Sequence, residues 1–378
     1  MKRQSFFRLT QEQAEQLAER YQTPLLVLSL EQVEKNYCFL KKWLPNVQIY
    51  YAMKANPDRE IVKKMAELGS CFDVASAGEI AELVELGISG ERMIYANPIK
   101  NKQGFQVCNE VGVRKFTFDS YSEIGKMAKA SPGASVLLRV RIDNSGAHVD
   151  LNKKFGASQE DVLPMLKAAK EAGLDVAGLC FHVGSQTTSA VPYIKALNIM
   201  KELFYKAKLE GFDLRILDIG GGFPIPEPHL LELDLTEMLT EINTYLLKNF
   251  AEIEIWSEPG RFICGTAVNL LTRVIGINER ENQVWYFLDD GLYGTFSGVL
   301  FDHWTFQIQS FREGEKIRAT FAGPSCDSLD VLYRDYLTIP LELDELLIVP
   351  DCGAYTSASS TVFNGFAKTP RVIWEETK

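Results

Sequence analysis

Between about residues 24 and 265, short apolar runs alternate with amphipathic stretches and Gly or Pro breaks, and this alternation restricts the chain more than any other feature. LLVLSL, VQIYYAMKA, CFDVAS, RMIYAN, KFTFDS, SVLLRVRI, GLCFHVGS, RILDIGGG and EIEIWSEPGR read as strands. Between them, REIVKKMAELG and GEIAELVELG place apolar residues at i, i+3, i+4 and i+7, giving each helix one buried stripe. Repeated strand–helix units lead to a parallel barrel. Eight of them in roughly 250 residues match a (β/α)₈ barrel, where active-site residues sit at the carboxyl ends of strands.

After residue 266 the texture changes to AVNLLTRVIGINE, QVWYFLDDG, KIRATFAG and ELLIVPDCGAYT, with alternating apolar positions and few helical stripes, as in a mostly antiparallel β domain. At 378 residues the chain also exceeds the roughly 250 to 300 at which single cores stop growing. The expected fold is therefore α/β: a TIM-like (β/α)₈ barrel over residues 24–265 and a β-sandwich-like domain over 266–378, with residues 1–23 packing on the latter.

Composition narrows the function classes. A net charge of −10 argues against a nucleic-acid surface, which needs a clustered basic face. No stretch approaches the ~20 apolar residues of a membrane span. The start, MKRQSFFRLTQEQAEQLAER, turns polar at once and lacks the apolar segment of an export signal, so a cytoplasmic location is expected. Seven cysteines, odd in number and without a CxxC pair, fit neither a disulfide framework nor a zinc site, so no metal is expected.

Several strand ends carry chemistry. Lys54 in YYAMKANP ends an apolar strand, where poor solvation lowers an ammonium's pKa and suits it to imine formation, although a snorkelling lysine would look the same. In LDIGGGFP, Gly220, Gly221 and Gly222 let backbone N–H groups approach a phosphate. EPGR adds Glu258, able to hold a heterocyclic nitrogen protonated, and Arg261, able to pair with phosphate; a capped turn with an exposed ion pair is the plain alternative. His182 and Ser185 in FHVGSQ supply a stacking imidazole and a hydroxyl, or simply a core histidine. Cys326 and Asp327 in GPSCDSLD offer a proton-donating thiol and an amine-binding carboxylate, or a buried cysteine in a polar turn. Tyr355 in DCGAYT could reach a phosphate or merely pack.

Taken in order, YYAMKANP, FHVGSQ, DIGGGFP, EPGR, GPSCDSLD and DCGAYT resemble the fold-type III pyridoxal 5′-phosphate (PLP) amino-acid decarboxylases, the ornithine, lysine, arginine and diaminopimelate group, over nearly the whole chain. The resemblance implies an alanine racemase-like barrel and a PLP-dependent carboxy-lyase. It makes Lys54 the Schiff-base lysine and His182 the ring that stacks on PLP, with Asp73 and Arg139 as supporting polar residues. Ser185, Gly221, Gly222, the segment Glu258, Pro259, Gly260 and Arg261, and Tyr355 become phosphate and pyridine contacts. Glu258 faces the ring nitrogen, and Cys326 is the proton donor. It further implies a homodimer with shared active sites.

For the substrate, DDGLYGTFSGVLFDHW resembles the specificity element of ornithine-type members, with Tyr293, Phe301 and Asp302 at the pocket and Asp302 joining Asp327 on the side-chain ammonium. Two carboxylates favour a cationic side chain and oppose a second substrate carboxylate, so diaminopimelate is disfavoured. Its decarboxylases carry Cys-Glu-Ser where Cys326, Asp327 and Ser328 stand here. Phe301 departs from the tyrosine of many eukaryotic ornithine-type members, and Trp304 reshapes this end of the pocket. L-Ornithine, giving putrescine, is the expected substrate; lysine, or an unusual diamino acid of polyamine or natural-product biosynthesis, is the alternative. A racemase would place a catalytic tyrosine where Cys326 stands. An inactive decarboxylase-like regulator would have lost cofactor residues that are all filled here. The chain stops soon after FNGFAKTPRVIWEETK, which leads to the expectation of no long C-terminal tail and a bacterial or viral source.

Overall fold

The computed structural model describes residues 6–142, 154–225, 233–280 and 282–377. The chain passes through α1 (Gln11–Tyr21), β1 (Leu25–Leu28) and α2 (Leu30–Trp43) before the repeating units begin. Strands β2 (Val47–Ala52), β3 (Cys71–Val74), β4 (Met93–Tyr95), β5 (Lys115–Phe118), β6 (Ser135–Arg139), β7 (Asp175–Cys180), β8 (Ile216–Asp218) and β9 (Glu254–Ser257) pair in parallel in sequence order, and β9 returns to β2 to close a barrel. The strands are linked by α3 (Arg59–Glu67), α4 (Ala77–Glu85), α5 (Lys102–Val111), α6 (Tyr121–Ala130), α7 (Val162–Glu171), α8 (Val191–Leu209) and α9 (Leu235–Asn249). Helix starts follow local chemistry. The side chains of Asp58, Ser76 and Asn101 accept the first free N–H groups of α3, α4 and α5, and Gly112 ends α5 in the left-handed conformation.

Inside the barrel, Tyr50, Ile94, Leu137 and Ile216 come from alternate strands and pack as one layer with Ala177, Cys180 and Trp256. The Tyr50 and Trp256 rings lie 4.6 Å apart between centroids. The interior is thus a packed core, and the carboxyl rim is left to chemistry.

Glu34–Phe262 forms one compact unit; Ser5–Val33 with Ile263–Lys378 forms the second. The second unit holds β1, a short α10 (Arg261–Cys264) at its entry, β10 (Val268–Arg280), β11 (Gln283–Leu288), α11 (Gly298–Phe301), β12 (Gln309–Ser310), β13 (Ile317–Ala322), β14 (Val331–Thr338), β15 (Leu346–Val349) and β16 (Arg371–Ile373). Its eight strands are mostly antiparallel.

One expectation needs correcting here. LLVLSL is not a barrel strand: β1 pairs antiparallel with β10 and parallel with β16, so the barrel begins at β2 and not near residue 24. All four residues of β1 are buried. An apolar run buried on both faces reads the same in a barrel as in the middle of another sheet, so pattern could not separate the two. The 13 residues of β10 pair with β1 and β15 in the first half and with β11 in the second, across a register shift between Val274 and Gly276. Leu9, Ala14 and Leu17 pack on this sheet with Leu25, Val27, Leu271 and Ile348.

Removing the Ile94 side chain from the fully buried layer should cost about 2–5 kcal/mol, the range for a buried large-to-alanine change. Urea unfolding of Ile94→Ala followed by tryptophan fluorescence measures it, and an unchanged midpoint would show that the layer does not carry the barrel's stability.

Candidate active site

Barrel closure brings residues distant in sequence to one rim. Lys54 lies in a single 3₁₀ turn (Met53–Ala55) directly after β2, and Asp73 lies within β3. The Lys54 ammonium donates to Asp73 Oδ2 at 2.6 Å; the lysine side chain is 50% exposed and the carboxylate 2%. A snorkelling lysine would point to water; this one turns onto a buried anion while staying open to solvent on its other side.

Asp218 ends β8 and Glu258 follows β9. Asp218 Oδ1 accepts from the Gly220 N–H at 2.8 Å, while Oδ2 meets no donor among the described residues. Its neighbour is Glu258, itself a carboxyl, so contact between them is favourable only when one carries a proton. Burial is the main force raising both, Asp218 to about 6 and Glu258 well above the ordinary range, so the pair as a unit holds on to a proton more readily than two separate carboxyls would. Glu79 on α4 is the third such acid. Its Oε2 accepts from the Ala75 N–H at 2.6 Å, and burial, then the Asp73 charge, push it up to about 7 against the pull of Lys54.

The cationic side of this rim is thin. Arg139, the last residue of β6, lies over the Phe155 ring at 5.3 Å, and its Nη2 is buried without a hydrogen-bond partner among the described residues. His182, after β7, accepts from the Gly184 N–H through Nδ1 at 2.9 Å. Burial first, then Arg139 and Lys54, lower its pKa to about 3, so the ring is neutral at any physiological pH. A neutral imidazole is the form that stacks on a planar heterocycle without adding positive charge.

The two anion-binding elements meet. The Arg261 Nε donates to Ser185 Oγ at 3.4 Å, joining the loops after β7 and β9, and Arg261 is only 6% exposed, which rules out the exposed ion pair. The glycine loop works differently from the sequence reading. A Cβ on Gly221 would stand 2.5 Å from the Glu258 carbonyl oxygen, and one on Gly222, at φ +107°, would stand 2.4 Å from the Gly184 oxygen. The glycines are needed so that the three loops can pack against each other. Pro259 and Gly260 complete the third loop, with Gly260 against Ala52 and Ala55.

The other expected residues belong to the second unit. Tyr293 donates its hydroxyl to Asp327 Oδ2, and the Leu329 N–H holds Oδ1 at 3.0 Å. Phe363 stacks on Tyr293 at 4.2 Å. Cys326 is exposed, not buried in its turn, and Asn364 Oδ1 accepts from its thiol at 3.4 Å and from its N–H at 3.3 Å. Phe301 is exposed at the end of α11, Asp302 follows it, and Trp304 is buried. Tyr355, at φ +55°, lies in the loop after β15.

Sequence reading missed Asp218 and Glu79. Asp218 directly precedes the glycines, and a strand-end acid beside an anion loop was its available signal. Glu79 was hidden because Ser76-x-x-Glu79 reads as a helix cap. The rim as a whole tests well against PLP. Glu258 stands with Asp218 as a buried carboxyl pair that retains a proton, Arg139 has an unused donor, Ser185 and Arg261 converge, and the neutral His182 lies beside the glycine loop. No helix among the described residues is long and apolar enough to cross a membrane, and no metal-ligand cluster occurs among them.

A neutral His182 has two measurable results. Its folded pKa lies below the unfolded 6.5, so the unfolded chain binds more protons between pH 6.5 and 3. His182 therefore contributes stability above pH 6.5 that is lost as pH falls toward 3. Histidine-selective NMR should show its ring not titrating between pH 7 and 5, and His182→Gln should flatten part of the acid limb of the stability curve. A ring titrating near pH 6.5 would contradict the site as described.

Comparison with known proteins agrees with this geometry. Residues 30–265 match the family model described as the pyridoxal binding domain of pyridoxal-dependent decarboxylases. A lysine/ornithine decarboxylase from Selenomonas ruminantium is 51% identical over 370 residues, covering 98% of this chain and 94% of the relative. A crystal structure of lysine decarboxylase from the same organism superposes with a TM-score of 0.95 at 50% identity, covering 98% of both chains. A lysine/ornithine decarboxylase from Vibrio vulnificus, complexed with putrescine, superposes at 0.90 with 34% identity, over 97% of this chain and 99% of that one. The chain belongs to the pyridoxal-dependent decarboxylases, carboxy-lyases that use PLP as their cofactor.

Proposed function

We propose that this enzyme, a decarboxylase of basic amino acids, acts on L-ornithine to release putrescine and CO₂, with L-lysine as a second substrate of the same site. The observation that carries the reading is Asp327. It is held by the Tyr293 hydroxyl and the Leu329 N–H, and these bonds keep its carboxyl below the ordinary range and thus charged for an ammonium. The name of the Selenomonas relative supports lysine beside ornithine.

In this reading Lys54 would bind the cofactor aldehyde, His182 would face the ring, and Glu258 would pair with the ring nitrogen. Ser185, Gly221, Gly222, Pro259, Gly260, Arg261 and Tyr355 would hold the phosphate. When bound, PLP supplies an electron-withdrawing ring that accepts the electron pair left at Cα as CO₂ departs. The residues do the rest. Asp73 keeps the Lys54 ammonium at one point of the rim, ready to lose its proton and return as an amine. Glu258, with Asp218 beside it, would face the ring nitrogen and keep it protonated. Cys326 delivers a proton to Cα through its thiol. Asp302 and Asp327 receive the distal ammonium, with Tyr293 and Phe301 beside them. Their two charges disfavour a substrate with a second carboxylate.

The same reading includes a cytoplasmic homodimer with shared active sites. Cys326 is exposed, and around its segment Leu329 is 72% and Val362 64% exposed, with Phe363 stacked on Tyr293. Apolar side chains rimming a thiol and a carboxylate suit cover by a second copy.

Carbon dioxide release from ornithine, lysine, arginine, diaminopimelate and carboxylated polyamines should be greatest with ornithine, followed by lysine. Preference for arginine or diaminopimelate would overturn the substrate assignment. Mixing inactive Lys54→Ala with inactive Cys326→Ala protein should restore part of the activity, and complete absence of complementation would overturn the shared site.

A further inference from the structure

The join between β4 and β5 has a single registered pair, Tyr95 with Phe116, while every other neighbouring pair in the barrel has at least three. A closed barrel cannot leave the backbone groups at such a seam unpaired. Lys100, from the loop between β4 and α5, fills the gap. Its ammonium donates to the carbonyl oxygens of Asn97 at 3.1 Å and Pro98 at 3.0 Å, in its own loop just past β4, and of Thr117 in β5 at 2.6 Å, so it ties the end of β4 to β5. The side chain is 0% exposed, and Glu123 of α6, itself buried, stands 3.3 Å away as counter-ion. Lys126 holds the other oxygen of Glu123 and donates to the Lys100 carbonyl at 2.8 Å. Burying an ammonium is costly, and burial lowers the pKa of Lys100 to about 8 despite Glu123. An ordinary seam would need no such group.

This seam separates the strands that carry two supporting residues of the rim. On one side, the Ala96 N–H donates to the Val74 oxygen at 3.1 Å, next to Asp73, which holds Lys54. On the other, β5 pairs with β6 up to Phe118 and Leu138, beside Arg139. Asp119, just past β5, accepts from the Gly156 N–H at 2.8 Å, and the Ala157 N–H donates to the Arg139 oxygen at 2.9 Å.

We propose that Lys100 is a positioning residue for the decarboxylation, a buried cation that replaces the missing β4–β5 ladder and thereby sets the separation of Asp73 and Arg139 across the barrel mouth. The inference rests on the function proposed above only for its kinetic part. It touches neither substrate nor cofactor, so it acts through the two residues it spaces.

Full-length Lys100→Met, which keeps the length and apolar stem but removes the three donors, is compared with Lys126→Met, which removes the other cation on Glu123 and leaves the seam bonded. Thermal unfolding, histidine-selective NMR of the PLP-free protein, and kcat and KM with ornithine and lysine are measured on both. Lys100→Met should move the His182 titration up from about 3, since Arg139 and Lys54 both act on that ring, and lower kcat on the order of tenfold to a hundredfold with KM little changed, the scale of a misplaced catalytic group. Lys126→Met should lower the unfolding temperature alone. A Lys100→Met protein that loses only thermal stability, or a Lys126→Met protein that reproduces the His182 shift, overturns the proposal. If Lys100→Met does not fold, Lys100→Gln, whose amide keeps two of the three donors, should show the same two changes at smaller size, and a Lys100→Gln protein that loses only thermal stability overturns the proposal. A wild type that decarboxylates none of the amino acids would sink the function reading and leave this one testable, because the His182 shift is read without substrate.

Discussion

Everything at the candidate site depends on the closure of eight parallel strands. A parallel strand leaves its carboxyl end on the same side as its neighbours, and closure turns that side into a ring. Lys54, Asp73, Arg139, His182, Asp218 and Glu258 are spread over more than half of the chain, yet each lies at or just beyond a strand's carboxyl end. The packed layer of Tyr50, Ile94, Leu137 and Ile216 beneath them excludes water from below, so the charges on the rim act at low dielectric.

That dielectric explains the unusual acid–base state of the rim. Among the described residues, the permanent cations acting on Asp73, Glu79, Asp218 and Glu258 are Lys54 and Arg139, and His182 adds no charge. In water all four acids would ionise. Here burial raises Glu258 together with Asp218 and lifts Glu79 to about 7, while Asp73 is compensated directly by the Lys54 ammonium. An excess of buried carboxyls with one stored proton is a site prepared for a basic nitrogen and for an amine-bearing molecule, which is the electrostatic content of a pyridoxal-dependent amino-acid decarboxylase.

Motif order made most of the rim legible before any coordinates. Lys54, His182, Ser185, the glycine loop and Glu258 to Arg261 all stand in strings whose residue types have a chemical reason to end a strand. Asp218 and Glu79 were not legible, since one reads as part of a glycine turn and the other as a helix cap. Lys100 was invisible for a different reason. A lysine two residues after a proline, in a loop, looks solvated, and only the shortness of the β4–β5 ladder shows why it is buried.

The sequence by itself determined the strand–helix alternation, the two-part organisation and the chemical family, because apolar periodicity and motif order are local properties of the chain. It could not decide which nine strand-like runs share eight barrel places, because β1 is apolar on both faces and suits either sheet. Nor could it decide the protonation of Glu258 or the neutrality of His182. Those are set by burial and by neighbours from other strands, Asp218 for one and Arg139 with Lys54 for the other, and such neighbours exist only once the barrel has closed.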